Sequence, residues 1–233
     1  MKNGARWLWF YALVILSFAA VVHVGNRSIT VIAENRPLQH RHCIVIDAGH
    51  GGIDGGATSC TGKLESGLNL EISLRLNDLF QLLGYDTRMI RTTDTSVYTR
   101  GETIAQQKAS DLKERVRIAN ETANALLISI HQNNFSDGKY SGAQVFYGSE
   151  EGSEPLSKQL QSSIISTLNP GSRRQCKPAK GIYLMEHIQC PGILIECGFL
   201  SNPTEEAMLQ SPDYQQALCV VIAANVSTYL SNT

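Results

Sequence analysis

The sequence predicts a single three-layer α/β domain with a mostly parallel central sheet of about six strands flanked by helices, plus an N-terminal apolar segment. Short apolar runs such as Cys43–Ile46 and Leu126–Ile130 alternate with segments of helical apolar spacing such as Leu68–Leu83. Helices that alternate with short buried strands favour a parallel sheet covered on both faces. An apolar content of 42% over 233 residues fits one globular domain with an appendage.

Turn residues and periodicity place the remaining elements. The helix over Leu68–Leu83 is predicted to stop at Gly84, a residue typical of helix C-termini. The same reasoning predicts loops over Thr92–Ala109 and Asn169–Lys180. It also predicts strands at Asp86–Ile90, Gly142–Tyr147, Gly181–Met185 and Gly192–Glu196, and helices at Asp111–Asn124, Pro155–Leu168, from Asn202, and from Pro212 to about Leu230.

The N-terminus differs in character from the rest of the chain. Lys2 and Arg6 precede an apolar run over Trp7–Val22, so residues 1–24 are predicted to be a signal peptide or a membrane anchor. Cleavage and retention both stay open, and a buried core helix is the alternative for this run. Residues 25–41 are predicted to be a polar linker, and residues 42–233 the folded domain, which the residues discussed below lead us to expect is catalytic. The positive charges before the run predict an exported domain that touches the membrane only through this segment.

Charge and cysteine usage narrow the class of protein. A net charge of −1 argues against nucleic acid as a partner, because such binders usually carry a basic excess. The six cysteines form no CxxC pair. Cys43, Cys197 and Cys219 lie in apolar runs and are predicted to be small buried hydrophobes, whereas Cys176 and Cys190 could form a disulfide.

Three predicted strands lead into residues that suit metal or acid–base chemistry. His50 follows the first strand in the glycine-rich loop GHGG, His131 follows Leu126–Ile130, and Glu196 ends Gly192–Glu196. Because ligands of open α/β sheets gather at the carboxyl ends of strands, we expect these three side chains to lie together. A catalytic zinc usually takes three protein ligands and keeps one open position.

If both histidines bind the metal, one protein ligand is left to find. Glu65 lies at the head of a predicted helix, where a carboxylate is favoured by the helix dipole. That position also suits an acid that only stabilises the first turn of the helix. The sequence position therefore favours neither the metal-ligand role of Glu65 nor this structural role. Glu71, on the body of the same helix, is the alternative carboxylate.

Glu196 suits a general base. A carboxylate at the end of so apolar a strand is costly unless it is paired or functional, and burial raises its pKa toward a useful range. The structural alternative is a buried salt bridge with Arg115 or Arg117. Asn133 and His187 are candidate substrate contacts.

Four blocks together resemble the zinc-dependent N-acetylmuramoyl-L-alanine amidases of the Amidase_3 family. They are IDAGHGGIDGGA over Ile46–Ala57, Glu65 before a helix, SIHQN over Ser129–Asn133, and IECGFLSN over Ile195–Asn202. The resemblance implies one Zn²⁺ held by His50, Glu65 and His131, with Glu196 as the catalytic glutamate. Gln132 and Cys197 stand where alanine and valine are common in the family, and neither replaces a metal ligand.

The resemblance also implies a reaction. It is hydrolysis of the amide bond between the lactyl group of N-acetylmuramic acid and L-alanine in peptidoglycan, with the glycan strand and its stem peptide as substrate. In its compact size the chain is most similar to the germination-specific subgroup of spore formers. This similarity implies that the product feeds muramic-δ-lactam formation in spore cortex. A protein activator is a further expectation. The alternatives are a zinc peptidase that cuts within the stem peptide and a peptidoglycan-binding protein with a structural zinc site.

Overall fold

Six strands form one sheet in this computed structural model, which describes residues 42–232. In chain order the strands are β1 (Cys43–Ala48), β2 (Asp86–Met89), β3 (Ala125–Asn133), β4 (Gln144–Tyr147), β5 (Lys177–Pro178) and β6 (Gly192–Phe199). Four of them lie side by side in the order β2-β1-β3-β6 and pair in parallel, and β4 continues the sheet antiparallel to β6. The short β5 pairs parallel to β4 at the edge. The predicted mostly parallel sheet is confirmed.

Helices cover both faces of this sheet. Ile44 and Ile46 of β1 belong to one apolar core, and Val45 between them belongs to the other, as the two-residue period of a strand requires. The first core is closed by α1 (Glu65–Leu82), α3 (Ser153–Thr167) and α6 (Pro212–Asn232), the second by α2 (Ile104–Asn120) and α4 (Tyr183–His187), and α5 (Pro203–Leu209) follows β6. The three-layer architecture is confirmed.

The helix α2 begins earlier than the sequence analysis predicted. It starts at Ile104, inside the predicted loop over Thr92–Ala109, because Thr103 and Gln106 form a capping box. The Thr103 hydroxyl accepts from the Gln106 N–H at 3.3 Å, and the Gln106 side chain accepts from the Thr103 N–H at 3.2 Å. The helix ends at Asn120 rather than Asn124, whose φ of 52° is left-handed.

The predicted strand over Gly181–Met185 is wrong, because this segment leads into the short helix α4. Leu184 and Met185 are adjacent and both buried in the same core, whereas adjacent residues of a strand point to opposite faces. The turn is closed by Glu186, whose Oε1 accepts from the Gly181 N–H at 2.6 Å.

The two central strands also extend beyond their predicted ends. β3 continues through His131 to Asn133, and β6 continues through Glu196 to Phe199. Their register shifts between His131 and Asn133. Both His131 and Glu196 therefore lie inside paired strands, next to an irregularity near the carboxyl edge of the sheet.

All six cysteines are free, so the candidate pair of Cys176 and Cys190 is not formed. Cys176 packs against one core and Cys190 belongs to the other, which places the sheet between them. Cys197 and Cys219 are buried as predicted, and Cys43 is half-buried.

The predicted signal or anchor over residues 1–24 and the linker over residues 25–41 lie outside the described residues. Within residues 42–232, no helix combines the length and apolar character needed to cross a bilayer.

Candidate metal centre

His50, Glu65 and His131 meet at the carboxyl edge of the parallel strands. One nitrogen or oxygen from each lies within 4.8 Å of the others. Glu65 lies between the histidines, with Oε2 3.3 Å from His50 Nε2 and Oε1 3.1 Å from His131 Nδ1. Two imidazoles and a carboxylate form a donor set that suits a catalytic metal with one open position. The structure thus brings together the three residues that the sequence analysis singled out.

Glu65 is the first residue of α1, and its carboxylate is buried and held in place. Its Oε2 accepts from the Ala57 N–H at 2.9 Å, and its Oε1 accepts from the Gln132 N–H at 3.1 Å. Burial alone would raise the pKa of Glu65, but His131 and His50 outweigh it and hold that pKa well below its usual value. Glu65 is therefore ionised, and it is both an acid in the first turn of α1 and a candidate metal ligand.

The alternative carboxylate, Glu71, points elsewhere. Its Oε2 accepts from Nε2 of Gln215 on α6 at 3.1 Å. Glu71 is exposed and is not part of the cluster formed by His50, Glu65 and His131.

Glycines let the loop after β1 lie directly against the other candidate ligands. A Cβ atom on Gly49 would lie 2.3 Å from the His131 ring, and one on Gly56 would lie 2.6 Å from Glu65 Oε2. His50 itself has a left-handed backbone, with φ of 59°. Gly49 thus allows close approach of the loop to His131, and Gly56 allows close approach to Glu65.

Asp54 contacts the far side of the His50 ring, a relationship that the sequence analysis missed. Asp54 Oδ2 lies 3.0 Å from His50 Nδ1, and Lys108 Nζ lies 2.7 Å from Asp54 Oδ1. Burial alone would lower the pKa of His50, but Glu65 and Asp54 outweigh it and raise that pKa to about 9. The sequence spacing could have predicted this contact, because Asp54 follows His50 by four residues in the same glycine-rich block.

Two buried arginines hold the backbone that carries His50. Arg91 donates to the carbonyl oxygens of Ala48 and Gly49 at 2.8 and 2.9 Å, and Arg115 donates to the His50 carbonyl at 2.6 Å. Arg115 also pairs with Asp47 at the end of β1. The loop is therefore fixed by charged hydrogen bonds to its carbonyl oxygens, which are stronger than neutral ones.

Glu196 lies beside His131 in the register of β3 and β6. Its Oε2 is buried and has no hydrogen-bond partner among residues 42–232. Burial raises the pKa of Glu196, with nearby Glu65 adding to the effect and His131 and His50 opposing it. An unpartnered buried carboxylate next to a candidate metal site is suited to proton transfer.

The salt-bridge alternative for Glu196 is wrong. Arg115 is bound by Asp47 and Asp111, and Arg117 pairs on the surface of α2 with Glu114 and Glu121. Neither guanidinium is paired with Glu196.

A pocket of about 320 Å³ opens over the cluster. His50, His131 and Glu196 line one side, while Leu112, Ile182 and Leu184 form an apolar wall. The volume is at the small end for ligand sites.

Asn133 and His187, the candidate substrate contacts, do not line this pocket. His187 is exposed and stacks on the Tyr183 ring with 3.9 Å between centroids. Asn133 ends β3 and is half-buried. A substrate contact for either residue stays a prediction.

Known proteins match this chain over most of its length. A family model described as N-acetylmuramoyl-L-alanine amidase matches residues 44–228. The germination-specific N-acetylmuramoyl-L-alanine amidase of Bacillus subtilis strain 168 is 36% identical over 235 residues, covering 99% of this chain and 97% of that protein. The amidase AmiA of Escherichia coli K12 is 26% identical over 233 residues, covering 81% of this chain and 76% of that protein.

Solved structures share the fold. The CwlD amidase of Clostridioides difficile, determined in complex with the GerS lipoprotein, has a TM-score of 0.79 and 36% identity, covering 83% of this chain and 100% of that one. The catalytic domain of CwlV from Bacillus (Paenibacillus) polymyxa has a TM-score of 0.69 and 25% identity, covering 82% of this chain and 98% of that one.

Proposed function

The chain belongs to the N-acetylmuramoyl-L-alanine amidase family, and we propose that it performs the reaction with one zinc ion held by His50, Glu65 and His131. The bond cut joins the lactyl group of N-acetylmuramic acid to L-alanine of the stem peptide. The observation that carries the proposal is the cluster of three ligand atoms within 4.8 Å, next to a buried carboxylate oxygen without a partner.

The donor set favours zinc over the hard cations. Imidazole nitrogens suit zinc, whereas calcium and magnesium prefer all-oxygen sites. When bound, zinc supplies Lewis-acid polarisation of a carbonyl oxygen and makes water a stronger acid.

Glu196 is the proposed general base and acid. Burial raises the pKa of Glu196, which makes its carboxylate a better proton acceptor, as a general base requires. Glu196 accepts a proton from the water that attacks the lactyl carbonyl carbon. When the C–N bond breaks, Glu196 returns this proton to the nitrogen of L-alanine, which leaves as an amine.

The similarity to a germination-specific relative extends the proposal to the biological setting. We infer that the substrate is spore-cortex peptidoglycan and that the product feeds muramic-δ-lactam formation. The protein is exported through residues 1–24, touches the membrane only through that segment, and works with a protein activator. The solved complex of the Clostridioides difficile relative with a lipoprotein supports a protein partner.

Mass spectrometry of digested peptidoglycan tests the reaction. The amidase releases an intact stem peptide that begins at L-alanine, whereas a zinc peptidase would release fragments cut inside the stem. A protein that only binds peptidoglycan would release nothing.

A variant separates chemistry from metal binding. Glu196→Gln should lose about 10²–10⁴-fold in turnover, the usual contribution of a general base, and should retain its zinc. Wild-type turnover in Glu196→Gln would contradict the proposed proton transfer.

A further inference from the structure

A second, larger groove of about 1130 Å³ is formed by the described residues. It is lined by the loop between α3 and β5 and by the start of β4. The pocket over the metal centre, at about 320 Å³, is too small to hold the stem peptide and glycan together. Most of a peptidoglycan substrate must therefore lie outside that pocket.

Gln144 connects this groove to the face that carries Glu196. The two residues are direct partners in the antiparallel pairing of β4 and β6. Side chains of such partners lie on the same face of the sheet, with Cβ atoms about 4.5–5.5 Å apart. Gln144 lines the groove and Glu196 lines the metal-centre pocket, so the two sites are neighbours.

The groove has more positive than negative side chains in its lining, with Lys139, Arg173, Arg174 and Lys177 against Glu205. Arg173, Arg174 and Lys177 line it, and none forms an ion pair within residues 42–232. The carboxylate in the lining belongs to Glu205, which is 8% exposed. Its two oxygens are occupied by the N–H groups of Gly142 and Phe199, at 2.7 and 2.8 Å.

Arg174 is held in a fixed position. Its Nε donates to the Ser141 carbonyl at 2.7 Å, and its Nη1 donates to Gln144 Oε1 at 2.9 Å. Its guanidinium carbon lies 4.5 Å from the centre of the Phe199 ring. These contacts use two of the five N–H groups of a guanidinium and leave the others for a ligand.

We propose that this groove binds the stem peptide of the substrate, with Arg173, Arg174 and Lys177 facing its carboxylates. The inference rests on the proposed amidase reaction. The peptide carries carboxylates, whereas the glycan of N-acetylated sugars is uncharged once the lactyl group is in amide linkage. Cations in the groove that Gln144 shares with the face of Glu196 would therefore distinguish the leaving peptide from the glycan, and would set the direction in which the substrate lies across the site.

Steady-state kinetics with a muropeptide substrate tests the groove. Arg173→Gln/Lys177→Gln should raise KM about three- to tenfold with little change in kcat, because exposed charge contacts are weak and bind ground state and transition state alike. The matched control is Arg100→Gln/Lys113→Gln, which removes the same two charges from a different surface groove of about 550 Å³. The control should keep the wild-type KM.

A second substrate separates charge recognition from other effects. With the peptide carboxylates amidated, the difference in KM between wild type and Arg173→Gln/Lys177→Gln should disappear. A difference that persists with this substrate would overturn the proposal, as would equal KM values for the groove variant and its control.

Direct binding distinguishes this inference from the proposed reaction. Free stem peptide titrated into the wild-type protein should shift the NMR amide signals of residues 169–177, and Arg173→Gln/Lys177→Gln should weaken that response. Binding without hydrolysis of peptidoglycan would overturn the amidase reaction and support the groove. Hydrolysis with an unchanged KM in the groove variant would overturn the groove and leave the reaction standing.

Discussion

Asp54 Oδ2 lies 3.0 Å from His50 Nδ1, and the other nitrogen of that ring, Nε2, faces Glu65 at 3.3 Å. An imidazole that donates its Nδ1–H to a carboxylate presents a lone pair at Nε2, the form that a metal ligand needs. Burial alone would raise the pKa of Asp54, but Lys108 and His50 outweigh it and lower that pKa. With a metal bound, Asp54 would hold the ring proton at Nδ1 and leave Nε2 of His50 as the ligand atom.

Asp54→Asn should weaken zinc affinity about 10–100-fold, the usual effect of removing the partner of a metal-binding histidine. The measurement is competition for zinc with a chelator of known affinity.

Asp94→Asn is the matched control for Asp54→Asn. Asp94 Oδ1 accepts from the Gly52 N–H at 3.1 Å, so it contacts the same loop without touching an imidazole. The control should bind zinc like wild type. Equal affinity in the two variants would show that Asp54 does not orient His50.

The proposed ligand role of Glu65 gives a second prediction. Glu65→Gln should lose stoichiometric zinc, because an amide is a much weaker ligand for zinc than a carboxylate. Glu71→Gln removes the exposed carboxylate on the same helix and should retain stoichiometric zinc. Metal content after dialysis, measured by mass spectrometry, checks both proteins. Zinc retained by Glu65→Gln and lost from Glu71→Gln would reverse the assignment.

The fold and the clustering of His50, His131 and Glu196 could be predicted from the sequence. Short apolar runs that alternate with helices indicate parallel strands, whose carboxyl ends lie at one edge of the sheet. Where a strand leads into a polar residue, the carboxyl edge of a parallel sheet brings such residues together. Glu65 could not be decided by spacing, since a first-turn acid and a metal ligand occupy the same helix position. The resemblance implies the ligand role, and the short distances from Glu65 to both histidines favour it.

The errors have local causes. The helix α2 was predicted too short because a polar stretch was interpreted as a loop, although Thr103 and Gln106 form a capping-box sequence. The strand predicted at Gly181–Met185 failed because a short apolar run does not distinguish a strand from a buried helical turn. The roles of Arg115 and Asp47 depend on residues far apart in the chain, and no local pattern predicts such a pair.

Arg115 gives a third prediction, concerning stability. It is 2% exposed and pairs with the buried Asp47 while holding the His50 carbonyl. Arg115→Met should lower the free energy of unfolding by about 3–5 kcal/mol, because it leaves a buried carboxylate without its partner. Urea unfolding of the zinc-loaded protein measures the change.

Arg117→Met is the matched control on the same helix. Arg117 pairs with Glu114 and Glu121 on the surface of α2, where ion pairs contribute little. Its unfolding curve should nearly coincide with that of wild type. A loss in Arg117→Met as large as in Arg115→Met would mean that the buried pair has no special importance.

The protonation of the metal-free site sets up a fourth prediction. The pKa of His50 is raised from 6.5 to about 9 in the folded protein. The folded state therefore binds more protons than the unfolded state between these values, and stability falls as pH rises through that window. The lowered pKa of Glu65 has the opposite sign, and its contribution is lost as pH falls below its ordinary value of 4.5. The pair thus stabilises the metal-free protein most between the ordinary pKa values of 4.5 and 6.5.

Metal-free protein should accordingly unfold at lower urea concentration at about pH 9 than at about pH 6. His50→Gln should flatten this dependence because it removes the titrating ring, while His187→Gln, which removes the exposed imidazole on α4, should keep it. Zinc should reverse the trend, since the metal needs unprotonated imidazoles and competes better with protons at high pH. Urea midpoints are measured at both pH values, with chelator and with zinc, for wild type, His50→Gln and His187→Gln. Equal slopes for wild type and His50→Gln would contradict an ion pair between His50 and Glu65 in the metal-free state.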